Sequence, residues 1–133
     1  MKPKTLFVID DDKIYHFLFK NLLKQNGIDV AVSFFHNGQE AIEHIKKNID
    51  AAELPDLILL DVNMPIMNGW QFLEEYSQLM QALPKKSPVY MISSSNNEVD
   101  INKAKEFGNI VKDYLLKPVC KEDLDMIFSK QGN

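Results

Sequence analysis

The sequence predicts an α/β fold, with a five-stranded parallel sheet that carries helices on both faces. Five short apolar runs alternate with segments of helical periodicity along the 133-residue chain. One run, LILLD, has no polar residue before its last position, which is typical of a strand buried on both faces of a parallel sheet. Because a helical segment follows each run, we expect right-handed crossovers between parallel strands.

The first two strand–helix units are predicted from their apolar spacing. TLFVID, Thr5 to Asp10, predicts a strand, and Lys13 to Gln25 predicts a helix. The run from Asp29 to Phe35 predicts the second strand. Asn37-Gly38 could form a hairpin turn, but apolar residues then recur at helical spacing, so we interpret it as a strand-to-helix turn. In the first helix the spaced residues are Ile14, Phe17, Leu18, Phe19, Leu22 and Leu23, and in the second Ala41, Ile42, Ile45 and Ile49.

The other three units follow the same alternation. Asn96 or Asn97 is a suitable cap for the fourth helix, because an asparagine side chain accepts hydrogen bonds from the first backbone N–H groups. The remaining predicted strands are Leu57 to Asp61, Val89 to Ser93 and Asp113 to Lys117, and the remaining predicted helices run from Gly69 through Met80, near Val99 to Phe107, and from Glu122 to Lys130.

Composition limits the class of protein. Hydrophobic residues make up 45% and charged residues 26% of the chain, which is typical of one globular domain. No apolar run has the length of a membrane span and no signal peptide is recognisable, so we expect a cytoplasmic protein without membrane contact. The net charge is −4 and all 15 basic residues are lysines, which argues against nucleic-acid binding. One cysteine and three scattered histidines have no zinc-ligand spacing.

Polar side chains end four of the predicted strands. In an open parallel sheet the ligand site lies beyond the carboxyl ends of the strands, so these side chains should meet at one edge. Asp12 is more simply a helix cap. The strand-end residues are Asp10-Asp11-Asp12, Asp61, Ser93-Ser94-Ser95 and Lys117-Pro118.

These residue types favour phosphoryl chemistry. Converging carboxylates repel one another and call for a cation, and an all-oxygen acidic site suits Mg²⁺. Asp61 could attack phosphorus and carry the phosphoryl group as an acyl phosphate. The metal and Lys117 would neutralise the incoming charge, and Ser93 offers a hydroxyl donor.

The motifs resemble those of the receiver domain of two-component response regulators. The resemblance covers nearly the whole chain and implies a flavodoxin-like fold with strand order 2-1-3-4-5 and five helices. It is closest to the stand-alone type, which implies one receiver domain over residues 1–133 and no output domain. The motifs that carry it are VIDDD, NGQEAI, LILLDVNMPIMNGW, PVYMISSS and DYLLKP.

The resemblance implies a role for each acidic residue. Asp61 matches the phosphoacceptor, which takes a phosphoryl group from a histidine in an Mg²⁺-dependent reaction in which Mn²⁺ could substitute. Asp11 would bind the metal directly, Asp10 would act through water, and Asn63 would offer its backbone carbonyl. Asn63 and Ser95 stand at the two positions that tune hydrolysis in the family.

The resemblance also implies a switch. Lys117, before a cis Pro118, matches the lysine that contacts the phosphoryl group. Ser93 matches the switch hydroxyl and Tyr114 the switch aromatic, and we expect Tyr114 to turn inward when phosphorylation draws Ser93 toward the phosphoryl group. The implied partners are a sensor histidine kinase or histidine phosphotransfer protein and a downstream target protein. The sequence leaves the oligomeric state open, and the only implied catalysis is the protein's own phosphorylation and dephosphorylation.

One segment departs from the family pattern, and three other functions compete. The segment before the fifth strand, FGNIVKDYLLKP, is longer than usual, which leaves the geometry of residues 108–113 open. An aspartate-nucleophile phosphohydrolase of the haloacid dehalogenase type needs an acid two residues after its nucleophile, where this chain has Asn63. A flavodoxin relative needs a phosphate cradle where this chain has three aspartates. A receiver-fold scaffold that acts without phosphorylation is the third alternative.

Overall fold

Five parallel strands and five helices alternate along the chain. The computed structural model describes residues 4–49, 54–94 and 97–131. The elements are β1 (Thr5–Ile9), α1 (Lys13–Gln25), β2 (Ala31–Phe35), α2 (Gly38–Lys47), β3 (Leu57–Asp61), α3 (Gly69–Leu79), a 3₁₀ turn (Met80–Ala82), β4 (Val89–Ser93), α4 (Glu98–Glu106), β5 (Val111–Leu116) and α5 (Lys121–Gln131).

The strand order is β2-β1-β3-β4-β5, and every pairing is parallel. This confirms the fold class and the strand order. β2 lies on one side of β1 and β3 lies on the other, so the direction in which strands are added reverses at β1. The carboxyl ends of β1 and β3 therefore flank the switch point, where open α/β sheets place their ligand sites.

Two apolar layers, one on each face of the sheet, form the core. β3 and β4 are buried at every residue, as expected for central strands covered on both faces. One layer includes Ile9, Ile58, Leu60, Trp70, Phe72 and Met91, and the other includes Leu6, Leu59, Tyr15, Phe19, Ile92 and Ile127.

Short polar side chains start the first four helices. Asp12, Asn37, Asn68 and Asn97 each accept hydrogen bonds from backbone N–H groups of the first turn, and Asn68 forms a capping box with Gln71. The prediction of a cap at Asn97 is confirmed, and so is the interpretation of Asp12 as a cap. The alternative cap, Asn96, lies outside the described residues.

Several predicted boundaries need correction at the ends of elements. β1 ends at Ile9 rather than Asp10, β2 begins at Ala31 rather than Asp29, and β5 ends at Leu116 rather than Lys117. The second helix ends at Lys47, so Ile49 is outside it and 48% exposed. The helix caps and the pairing between strands set these ends, and apolar periodicity does not report either of them.

The buried face of α1 also differs from the prediction. Ile14, Phe17 and Leu18 have 71%, 64% and 56% of their surface exposed. The buried side chains are Tyr15, His16, Phe19 and Leu23. The apolar residues of α1 cover two faces, so periodicity alone did not indicate which face packs on the sheet.

The segment that the sequence left open has a defined register. β5 begins at Val111, two residues earlier than predicted, and Val111 pairs with Val89 while Asp113 pairs with Tyr90. Lys112 is therefore the extra residue of a β-bulge. Ile110 and Val111 are buried, which explains why the segment is apolar.

Among the described residues, the longest helix has 13 residues, and none is long and apolar enough to span a bilayer.

Candidate functional site

Three carboxylates meet where β1 and β3 end. Asp10 and Asp11 follow β1, and Asp61 is the last residue of β3. One carboxylate oxygen from each lies within 4.8 Å of the others. Asp10 is completely buried, Asp61 is 5% exposed, and Asp11 is open to solvent. The cluster is therefore shielded from solvent at Asp10 and Asp61 and accessible to solvent at Asp11.

The backbone around Asp10 fixes its carboxylate. Its N–H donates to the carbonyl of Phe35 at 2.9 Å, and its Oδ1 accepts from the N–H of Asp12 at 2.9 Å. Nε2 of His16 lies 2.6 Å from the Asp10 carbonyl oxygen. A carbonyl only accepts, so Nε2 carries the proton and donates it. Asp12 itself turns away to cap α1, accepting from the N–H groups of Ile14 and Tyr15.

Lys117 brings a positive charge to this cluster from the end of β5. Its Nζ lies 2.6 Å from Oδ2 of Asp10 and 3.6 Å from Oδ2 of Asp61. The Lys117 N–H donates to the Ser93 carbonyl at 2.8 Å, which ties the end of β5 to the end of β4. The Lys117–Pro118 peptide bond is cis, as the family resemblance implied.

The electrostatic balance of the site is still negative. Burial, together with the neighbouring charge of Asp10, raises the pKa of Asp61 to about 7, although Lys117 opposes this shift. Burial lowers the pKa of Lys117, but the two carboxylates outweigh it and leave that pKa above its usual value. One lysine therefore does not neutralise the three acids. An all-oxygen donor set with excess negative charge fits a hard divalent cation such as Mg²⁺.

The two predicted switch residues contact each other. Ser93 is buried at the end of β4, and Tyr114 is half-buried on β5. Burial raises the pKa of Tyr114, while a side-chain hydrogen bond with Ser93 opposes this rise. The aromatic side chain is therefore already linked to the hydroxyl.

The side chain of Asn63 does not join the cluster of carboxylates. Asn63 is exposed in the loop after β3. Its expected contribution to the metal site is its backbone carbonyl. The exposure of its side chain does not test that role, which stays a prediction. Ser95 lies outside the described residues.

The loop from β3 to α3 is tightly folded against the site. Ile66 has φ 68°, and the N–H of Met67 donates to the Pro65 carbonyl at 2.6 Å, which makes a γ-turn. A Cβ atom on Gly69 would lie 2.5 Å from the backbone oxygen of Asp61. Only glycine allows the start of α3 to approach the end of β3 this closely.

Sequence reasoning missed two residues near the site, Tyr15 and His16. Both lie in the first turns of α1, and Nζ of Lys117 is 4.7 Å from the ring centroid of Tyr15. In the sequence, their spacing from the cap residue Asp12 could have indicated their position. Residues three and four positions after Asp12 return to the side of the helix that faces the strand ends.

The chain is similar in sequence to known proteins. The family model described as response regulator receiver domain matches residues 6–128. Transcriptional regulatory protein CpxR of Escherichia coli (strain K12) is 34% identical over 119 residues, covering 90% of this chain and 45% of CpxR. This chain thus spans less than half of that relative.

Two solved structures are also similar. A two-component response regulator from Cytophaga hutchinsonii is 29% identical with a TM-score of 0.89, covering 100% of this chain and 99% of the other. The Mn²⁺-bound form of response regulator Rcp1 is 28% identical with a TM-score of 0.72, covering 98% and 93%.

Proposed function

Because the chain belongs to the response regulator receiver domain family, we propose that it accepts a phosphoryl group on Asp61 in an Mg²⁺-dependent reaction. The observation that carries the proposal is the convergence of three carboxylates and Lys117 at the switch point of the sheet. Receiver domains bind Mg²⁺ through acidic residues, and this chain has that cluster. Here Asp10, Asp11 and Asp61 would hold the ion, with the backbone carbonyl of Asn63, and Mn²⁺ could substitute.

In the proposed reaction, an Asp61 carboxylate oxygen forms a bond to phosphorus. The bond from phosphorus to the donor's nitrogen or oxygen breaks, and its electron pair leaves with the donor. Mg²⁺, when bound, favours the ionised form of Asp61 and offsets negative charge on the phosphoryl oxygens. Lys117 moves its ammonium from the Asp10 carboxylate toward the new phosphoryl oxygens. Asp10 stays in place because backbone hydrogen bonds hold it.

We propose that phosphorylation changes the hydrogen bond of Ser93. The Ser93 hydroxyl donates to a phosphoryl oxygen, and Tyr114 then repacks against the displaced Ser93. The expected inward turn of Tyr114, into the space that Ser93 leaves, would start from an existing hydrogen bond between the two side chains. The phosphoryl group shifts a population between two arrangements, and the altered face of α4, β5 and α5 is what a target protein would bind.

The proposed partners are a sensor histidine kinase or histidine phosphotransfer protein, and a downstream target protein. The expectation of no nucleic-acid partner is not supported by the comparisons. CpxR is named a transcriptional regulatory protein, and this chain spans only 45% of it. The single-domain organisation and the cytoplasmic location remain predictions. No turnover beyond the protein's own phosphorylation and dephosphorylation is proposed.

A small phosphohistidine mimic tests the phosphoryl transfer. Phosphoramidate carries the same phosphorus–nitrogen bond that would break in a phosphohistidine donor. With Mg²⁺, wild-type protein should develop one acyl phosphate signal in ³¹P NMR, and Asp61→Asn should not. Equal signals in the two proteins would place the phosphoryl group elsewhere. Multiple turnover on small phosphate esters, which a receiver would not show, would instead favour the phosphohydrolase alternative.

The switch has its own test. When phosphoramidate and Mg²⁺ are added, the ring resonances of Tyr114 should shift in wild-type protein and stay unchanged in Ser93→Ala. An equal shift in the variant would contradict the role of the Ser93 hydroxyl.

A further inference from the structure

We propose that Tyr15 is a positioning residue whose ring holds the ammonium group of Lys117 at the acidic cluster. The inference rests on the proposed transfer to Asp61. Nζ of Lys117 lies over the face of the Tyr15 ring, 4.7 Å from its centroid. A cation at this distance is attracted by the negative face of an aromatic ring.

The ring supplies a contact that differs in kind from the other two contacts of Lys117. Those are ion pairs with Asp10 and Asp61, at 2.6 and 3.6 Å. In the proposed reaction both carboxylates also face Mg²⁺, and Asp61 becomes an acyl phosphate. Both ion pairs therefore weaken as the reaction proceeds. The attraction to the ring of Tyr15 does not depend on the charge of either carboxylate, so it keeps the flexible lysine side chain at the site.

Tyr15 is itself held rigidly enough for this role. Its ring is 7% exposed and stacks on Phe19 with the centroids 6.0 Å apart. Its backbone N–H donates to Oδ1 of the cap residue Asp12 at 3.2 Å. Contacts other than Lys117, namely the cap and the core packing, thus fix the position of the ring.

The ring, rather than the hydroxyl, makes this contact. The Tyr15 hydroxyl is buried and has no hydrogen-bond partner among the described residues. A buried hydroxyl without a partner destabilises the folded state. Burial and the nearby carboxylates of Asp10 and Asp61 raise the pKa of Tyr15, so the ring is neutral at physiological pH. Phenylalanine should therefore be able to replace it.

Rates of phosphorylation by acetyl phosphate, measured with saturating Mg²⁺, test the proposal. Tyr15→Leu removes the ring and should slow the reaction by about 2- to 30-fold, the range that corresponds to a cation–π contact. The conservative variant Tyr15→Phe should stay within about 2-fold of wild type, because the face of a phenylalanine ring also attracts a cation. Phe72→Leu is the matched control, since it removes a fully buried ring from the apolar layer on the opposite face of the sheet from Tyr15.

A second readout separates positioning from a general loss of structure. Protons held over a ring face are shifted upfield. The ε-methylene signal of Lys117 should therefore be upfield in wild type, Tyr15→Phe and Phe72→Leu, and normal in Tyr15→Leu. If Tyr15→Leu does not fold, the wild-type spectrum still tests the contact.

A normal Lys117 shift in wild type would overturn the proposal, and so would equal rates for Tyr15→Leu and Phe72→Leu. If wild-type protein forms no adduct, the proposed function fails, and the NMR signal reports on the ring contact independently of it.

Discussion

The ammonium group of Lys117 lies 2.6 Å from Oδ2 of Asp10, a residue with no exposed surface. The ion pair joins the ends of β5 and β1 across the strands between them. Asp61 is more distant from the same nitrogen, at 3.6 Å. In this state the lysine therefore compensates the buried acid first and leaves the predicted phosphoacceptor with a raised pKa.

Lys117→Met should destabilise the metal-free protein at pH 8 by about 3–5 kcal/mol. The variant keeps most of the stem and removes the charge, which leaves a buried carboxylate without its partner. Mg²⁺ should restore more stability to the variant than it adds to wild type, because the ion replaces the missing positive charge. Urea denaturation with and without Mg²⁺ measures both effects. Lys112→Met, an exposed lysine on the same strand, is the control and should change little. An equal effect of Mg²⁺ on Lys117→Met and wild type would contradict the prediction.

Asp61→Asn should stabilise the metal-free protein in a pH-dependent way. The folded-state pKa of Asp61 is raised to about 7, so the folded protein holds a proton that the unfolded chain releases near pH 4. Wild type therefore loses stability as the pH rises from about 4 to about 7, and the variant does not share this loss. The advantage of Asp61→Asn should grow over that interval and stay constant above it. Thermal unfolding at several pH values checks this, and a pH-independent difference would contradict it.

Gly69→Ala should destabilise the protein by about 1–3 kcal/mol, the usual effect of forcing a methyl group into filled space. The added Cβ would lie 2.5 Å from the Asp61 backbone oxygen, so the end of β3 and the start of α3 must move apart. The rate of phosphorylation should therefore fall as well. The control is Gly108→Ala, where the nearest atom, the Lys105 oxygen, is 3.1 Å away. That variant should be less affected and should keep its rate. Equal stability and equal rates for the two variants would contradict the prediction, because the backbone near Gly69 would then accommodate the added Cβ without loss.

Millimolar Mg²⁺ should raise the melting temperature, while NaCl of equal ionic strength should not. An ion that binds only the folded state adds about 1.4 kcal/mol when its concentration is ten times Kd. Asp11→Asn removes the exposed ligand and should weaken this effect. Identical curves in the two salts would argue against the metal site.

The sequence predicted the sheet and the main residues of the site because both depend on local patterns. LILLD indicated a buried strand, and the rule that ligands lie beyond strand ends brought Asp10, Asp61 and Lys117 together. The bulge at Lys112 was not predictable, because it depends on pairing with Val89 and Tyr90. Tyr15 was missed for a similar reason: its role depends on Lys117, which is 102 residues away and arrives from another strand.

Intact mass after incubation with acetyl phosphate tests the central claim most directly, with wild type and Asp61→Asn side by side. We expect one phosphoryl adduct on wild type that requires Mg²⁺ and is lost in mild alkali, as an acyl phosphate would be. Asp61→Asn should gain no adduct. An alkali-stable adduct, or one of equal yield on Asp61→Asn, would contradict the assignment of Asp61 as phosphoacceptor. The absence of both an adduct and Mg²⁺ binding in wild type would contradict the account of the whole site.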